Sequence, residues 1–174
     1  MGLGCARSEW DDFEWFALHA DDDNAPPIWI DDDSTRVLLC DLDNLRADPR
    51  RLAARIRVAV ELAQAADVVL FAGQAESVRR SGVPPEFRDE VITVGSGRDA
   101  ADHALLTVAE SVRGRPLQFV VMSNDGIFAR LALRGPLGVV SPTVGRASIR
   151  LVKAAHTLVD VGELTRDKIV PAVA

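Results

Sequence analysis

The chain has 174 residues, 48% of them apolar, and 26 acids against 20 Lys and Arg, for a formal net charge of −6. That is enough apolar material for one domain with a real core, without disulfides or a structural metal. Its apolar runs are short and its N-terminus carries Trp and acids, so neither a membrane span nor a signal peptide is expected; a cytoplasmic protein with no membrane partner is.

Cys5 and Cys40 stand in different contexts without metal-ligand spacing, as unpaired thiols of a reducing compartment do, and neither is assigned a catalytic role. Charge is unevenly spread. Residues 1–35 hold ten acids and one base, a net −9, which leaves +3 for the remaining 139 residues. Almost all bases of that body are arginine, the residue suited to bidentate phosphate contacts.

In chain order, the acidic tail over 1–35 comes first and the folded domain over 36–174 follows. Ser8 with Asp11 resembles a capping box, and Trp10, Phe13 and Ala17 recur at helical spacing, so a short amphipathic helix is expected over residues 9–19. Asn24-Ala25-Pro26-Pro27 ends it. The aromatics Trp10, Phe13, Trp15, Phe16 and Trp29 either pack on the body or form a partner-binding or autoinhibitory segment.

From Arg36 on, short Val- and Leu-rich runs alternate with stretches of helical period, which predicts an α/β fold: a mostly parallel sheet flanked by helices. The runs are Val37–Cys40, Val68–Ala72, Val91–Val94, Phe119–Met122, Val139–Val140 and Leu158–Val161. Asp48-Pro49 supplies the cap and first-turn proline of a helix burying Leu52, Ile56, Val60 and Ala63. A second helix starts near Asp99 and packs through Leu105, Leu106, Ala109 and Val112. A third runs from about Gly126 and ends before Gly135-Pro136.

Ligands of such sheets bind beyond the carboxyl ends of the strands, where strand order reverses. Asp41, Asp43 and Asn44 follow the first strand, and Ser123, Asn124 and Asp125 follow the fourth. Asp102 precedes Leu105, Leu106 and Ala109 by three, four and seven residues, so it lies on the apolar face of its helix. An inward carboxylate is costly unless paired, hydrogen-bonded or bound to a cation. Plainer readings stay open: Asp99 and Asp125 as N-caps, and Asp102 paired with Arg98 or Arg130. Converging carboxylates without a His or Cys cluster suit a hard cation, Mg²⁺ or Mn²⁺, which phosphodiester chemistry uses. His19, His103 and His156 are read as structural or solvent-exposed.

Four blocks in order resemble the NYN domains of the PIN-like ribonuclease superfamily. Asp41 and Asn44 fall on the Asp-x-x-Asn of the opening strand, and Asp102 on the Asp of the block Gly97-Arg98-Asp99-Ala100-Ala101-Asp102. Ser123 and Asp125 fall on the Ser-x-Asp of Val121-Met122-Ser123-Asn124-Asp125-Gly126-Ile127-Phe128, and residues 138–164 resemble the domain's end. The resemblance implies a Mg²⁺- or Mn²⁺-dependent RNA endonuclease with Asp41, Asp102 and Asp125 holding the metal. It makes Asn44 and Ser123 ligand- or phosphate-orienting residues; Asn124 joins them as a substrate-binding candidate, and Arg46, Arg98 and Arg130 as groups to hold the phosphates of RNA. The chain departs from the pattern at Ile127, where many members carry a second Asp, and at Arg98, where Lys is common.

Two rivals remain. Asp41-Leu42-Asp43 resembles the Asp-x-Asp of haloacid-dehalogenase-like phosphatases, although Lys153 and Lys168 both come too late for that family's Lys block. A catalytically degenerate NYN domain that binds RNA or a protein would also fit Ile127. A homodimer, or a protein partner for the tail, is left open.

Overall fold

Each apolar run becomes a strand in the structure, a computed structural model that describes residues 28–30, 32–114 and 116–162. The helix expected over residues 9–19, and all tail aromatics except Trp29, lie outside the described residues, as does the chain from 163 onward. Strands β1 (Thr35–Asp41), β2 (Val68–Gln74), β3 (Val91–Val94), β4 (Leu117–Met122), β5 (Leu137–Ser141) and β6 (Thr157–Asp160) form one sheet. Their order is β3-β2-β1-β4-β5-β6 and every pairing is parallel, so the fold is α/β with an all-parallel sheet.

Parallel neighbours require crossovers, and these cover both faces. Helix α1 (Pro49–Gln64) starts at Asp48, whose side chain accepts from the amides of Arg50 and Arg51, and it returns the chain to β2. Helix α2 (Ala75–Ser81) and a 3₁₀ segment (Pro85–Glu90) lead to β3. Helix α3 (Ala100–Ser111) then carries the chain back past β2 and β1 to β4, on the opposite face. A 3₁₀ segment (Gly126–Leu133) and helix α4 (Ile149–Ala154) complete that second layer.

Strand alternation decides which side chains meet which layer. In β1, Leu38 and Cys40 pack with Leu52, Ile56 and Ala59 of α1, while Val37 and Leu39 pack with Leu105 and Ala109 of α3. Asp41 continues the series Val37, Leu39 and therefore belongs to the α3 face. In β4, Phe119 and Val121 lie on that same face, so Ser123 follows in phase. Of the tail, Ile28 and Trp29 pack against the α1-side core.

One expected helix takes another form. From Gly126 to Leu133 the chain winds as 3₁₀, not α. Eight residues rise about 16 Å at the 3₁₀ pitch but only about 12 Å as α-helix. The tighter winding spans the length of a five-residue strand, about 17 Å, in the short return to β5.

Leu105 is fully buried between α3 and the sheet, whereas Leu133 is 90% exposed. Leu105→Ala is expected to cost about 2–5 kcal/mol in chemical denaturation, and Leu133→Ala to stay within about 0.5 kcal/mol of the native protein.

Candidate metal centre

Strand order reverses between β1 and β4, the pair at the middle of the sheet, and the acids gather at that point. Asp41 ends β1, 1% exposed. Its Oδ1 accepts from the backbone amides of Asp43 (3.0 Å) and Asn44 (3.2 Å). Its Oδ2 accepts from the Asn44 side-chain amide and from Ser123 Oγ (3.1 Å). The same Ser123 hydroxyl accepts from the amide of Asp125 (3.1 Å), so one buried serine fixes both strand-end loops.

Asp102 reaches this point from α3. It is 5% exposed and carboxyl to carboxyl with Asp41, and its Oδ1 has no hydrogen-bond partner. Neither arginine considered from sequence neutralises it: Arg98 lies 3.7 Å from Asp99, and Arg130 pairs with Glu110 at 3.0 Å. Burial, then the charge of Asp41 and their hydrogen bond, then Asp125 and Asp99, push the Asp102 carboxyl up to about 8. Burial also raises Asp41, against the lowering pull of Asn44, Asp102 and Ser123. At neutral pH without a cation, the pair keeps a shared proton that a bound cation would displace.

Three acids can hold a metal ion: one carboxylate oxygen each from Asp99, Asp102 and Asp125, all within 4.8 Å of one another. Oxygens bound to one cation at roughly 2.0–2.6 Å stand no more than about 5 Å apart, so the spacing fits. The orphaned Asp102 oxygen is the second sign of fit, because a buried acceptor without a donor is costly unless a cation serves it. The expected set of Asp41, Asp102 and Asp125 shares two members with this group. Asp41 is in hydrogen-bond contact with Asp102.

The plainer expectation for Asp99 is an N-cap. Its carbonyl does take the first helical bond, from His103 (3.0 Å), but its side chain makes no cap bond and its backbone is left-handed, φ 57°. Asp tolerates that region better than most residues. A usable signal was present, since Asp99 and Asp102 are three apart and share a helix face. Asp125 is an N-cap, its Oδ1 accepting from Ile127 (2.9 Å), while it also stands in the acid group.

The other residues divide. Asp43 accepts from Gln74 N (3.2 Å), Ser77 Oγ and Arg46 Nη2 (3.2 Å), so it secures the start of α2. Asn124 ties its loop to β5, its Oδ1 accepting from Ser141 Oγ (2.6 Å). Arg98 is exposed at the margin of the group beside Asp99. Arg130 is elsewhere: its partner Glu110 lies eight residues beyond Asp102 on α3, about 12 Å along the helix. Ile127 packs against the α3-side core. Cys40 is fully buried with its thiol pushed up by burial and by Asp41, which leaves it inert.

No family profile matches the sequence, and no curated protein matches it. A protein of unknown function from Vibrio parahaemolyticus has a similar solved structure, with a TM-score of 0.55 at 16% identity over 76% of this chain and 96% of that one. The likeness is one of fold. No helix among the described residues is long and apolar enough to cross a membrane.

The raised acid has a stability signature. Folded, metal-free Asp102 holds its proton up to about pH 8; unfolded, it loses it near 3.8. The folded chain binds more protons across that window, so this group's contribution to stability falls as pH rises through it. In a chelator, Asp102→Asn is expected to melt above the native protein at pH 8, with the difference shrinking toward pH 4. A variant that melts lower at pH 8 would remove the acid-pair assignment.

Proposed function

We propose that the chain is a Mg²⁺- or Mn²⁺-dependent ribonuclease that cleaves RNA phosphodiester bonds, the activity that the NYN resemblance implies. The observation that carries this reading is Asp102, buried against Asp41 with an unserved oxygen, beside Asp99 and Asp125. Asp99, Asp102 and Asp125 would hold the cation. A bound divalent cation lowers the pKa of an attacking water and neutralises charge building on the phosphate.

The chain's own groups do the positioning. Asp41, held by Asn44 and Ser123, orients Asp102 and takes up the charge change when their shared proton leaves. Asn44 and Ser123 therefore support the ligands through Asp41. Asn124 and Ser141 fix the loop that presents Asp125.

A second reading, an RNA-binding domain that does not cut, is favoured by Ile127, an apolar residue where an acid is common. Weighing against the phosphatase alternative, its general acid Asp43 accepts from Gln74, Ser77 and Arg46.

Purified protein with Mn²⁺ is expected to cut single-stranded RNA. Asp102→Asn should abolish cutting, and Asp41→Asn should lower it by about 10–100-fold, the usual cost of losing a group that supports a metal ligand. Equal cleavage by both variants would expose a contaminant. Binding without any cleavage by the native protein would establish the second reading.

A further inference from the structure

Arg55 occupies a position that calls for hydrophobe, on the buried face of α1, and is 4% exposed. Its Nη1 donates to the carbonyls of Leu45 (3.1 Å) and Arg46 (3.1 Å), and its Nη2 to the carbonyl of Pro142 (2.6 Å). Leu45 and Arg46 belong to the loop after β1; Pro142 opens the connection after β5. One buried guanidinium thus joins two loops that sequence separates widely. A planar fork with several donors suits this task, and a single ammonium does not.

Those two loops are the walls of an open trough of about 400 Å³, which also contains Asn124 and Asp125. A second trough of about 530 Å³, lined by Ser148 and Arg150 among others, meets the first at the same two residues. Asp125 of the acid group therefore lines both troughs. Arg46 and Arg146 line the first trough. Arg46 is braced by Ser77 Oγ (2.9 Å) and Asp43 (3.2 Å). The exposed Arg146 side chain makes no hydrogen bond or ion pair among the described residues. Two cations in one trough, beside carboxylates that repel a bare anion, suit a ligand whose negative charges are spaced along a chain.

We propose that the trough between the β1–α1 and β5–α4 connections is a seat for the phosphodiester backbone of a single polynucleotide strand, with Arg146 and Arg46 contacting phosphates and Arg55 setting its width as a positioning residue. The polynucleotide nature of the ligand rests on the ribonuclease reading; the seat itself rests on the arginines and the walls they stand on.

The test separates binding from cutting. A fluorescent single-stranded RNA 12-mer is titrated in EDTA at several salt concentrations, and cleavage with Mn²⁺ is measured separately. Arg146→Ala should weaken binding several-fold and reduce the slope of log K against log salt by about 0.7, one phosphate contact on a single strand. Arg113→Ala, an equal loss of charge beyond the far end of α3, should leave both unchanged. Arg55→Met should weaken binding while keeping the native salt slope, and Arg55→Lys should not restore it. Arg146→Ala that binds like the native protein, or Arg113→Ala that weakens binding as much, would overturn the seat. Arg146-dependent binding without cleavage would leave the seat standing and remove the ribonuclease. Cleavage with Arg146-independent binding would do the reverse.

Discussion

The pairing of β1 with β4 at the centre of the sheet is the constraint from which the rest of the site descends. Because the chain runs outward from β1 to β3 and then returns on the other face, β4 lies beside β1 with Cys40 opposite Met122. The next residues in each strand path, Asp41 and Ser123, are then neighbours by register alone. Their hydrogen bond at 3.1 Å follows from that alignment. The returning helix α3 covers the face that Asp41 shares with Val37 and Leu39, so its inward acid Asp102 meets Asp41 and no other partner is needed to explain the contact.

Much of this was legible. Val and Leu runs announced the six strands, Asp48-Pro49 announced α1, and the three-four-seven spacing of Asp102 to Leu105, Leu106 and Ala109 announced an inward carboxylate. Other features carried no such mark. Helix α2 buries Ser77 and Ser81 in place of an apolar stripe, so periodicity had nothing to register. The turn of Asp99 away from capping depends on a left-handed backbone that composition does not encode. Arg130, a candidate partner for Asp102 or phosphate, pairs with Glu110, a contact that no local pattern marks.

Arg55 shows a third kind of limit. An arginine amid Leu52, Ile56 and Ala59 reads as an interruption of a buried stripe, and the three carbonyls to which it donates give it a purpose. Hydrogen bonds to backbone engage a buried guanidinium without naming their partner's side chain, so residue types around the acceptors hold no clue. By contrast Ile127 is plain in sequence and plain in structure: its partly buried side chain packs against the core and borders the trough beside Asp125.

The route of α3 from β3 to β4 also binds the acid group to the cooperativity of the whole domain. Asp99 and Asp102 hang from the crossover, Asp125 from the strand that the crossover delivers, and Asp41 from a strand laid down 82 residues before its partner Ser123. Together with Asp41 the three acids span residues 41–125, a stretch that holds β2, β3 and β4 and the end of β1. A cation that binds there binds the native state alone, and at a hundred times its dissociation constant it would add about 2.7 kcal/mol to the stability of the entire fold. The same carboxyls that repel one another without a cation would then act as the domain's clasp.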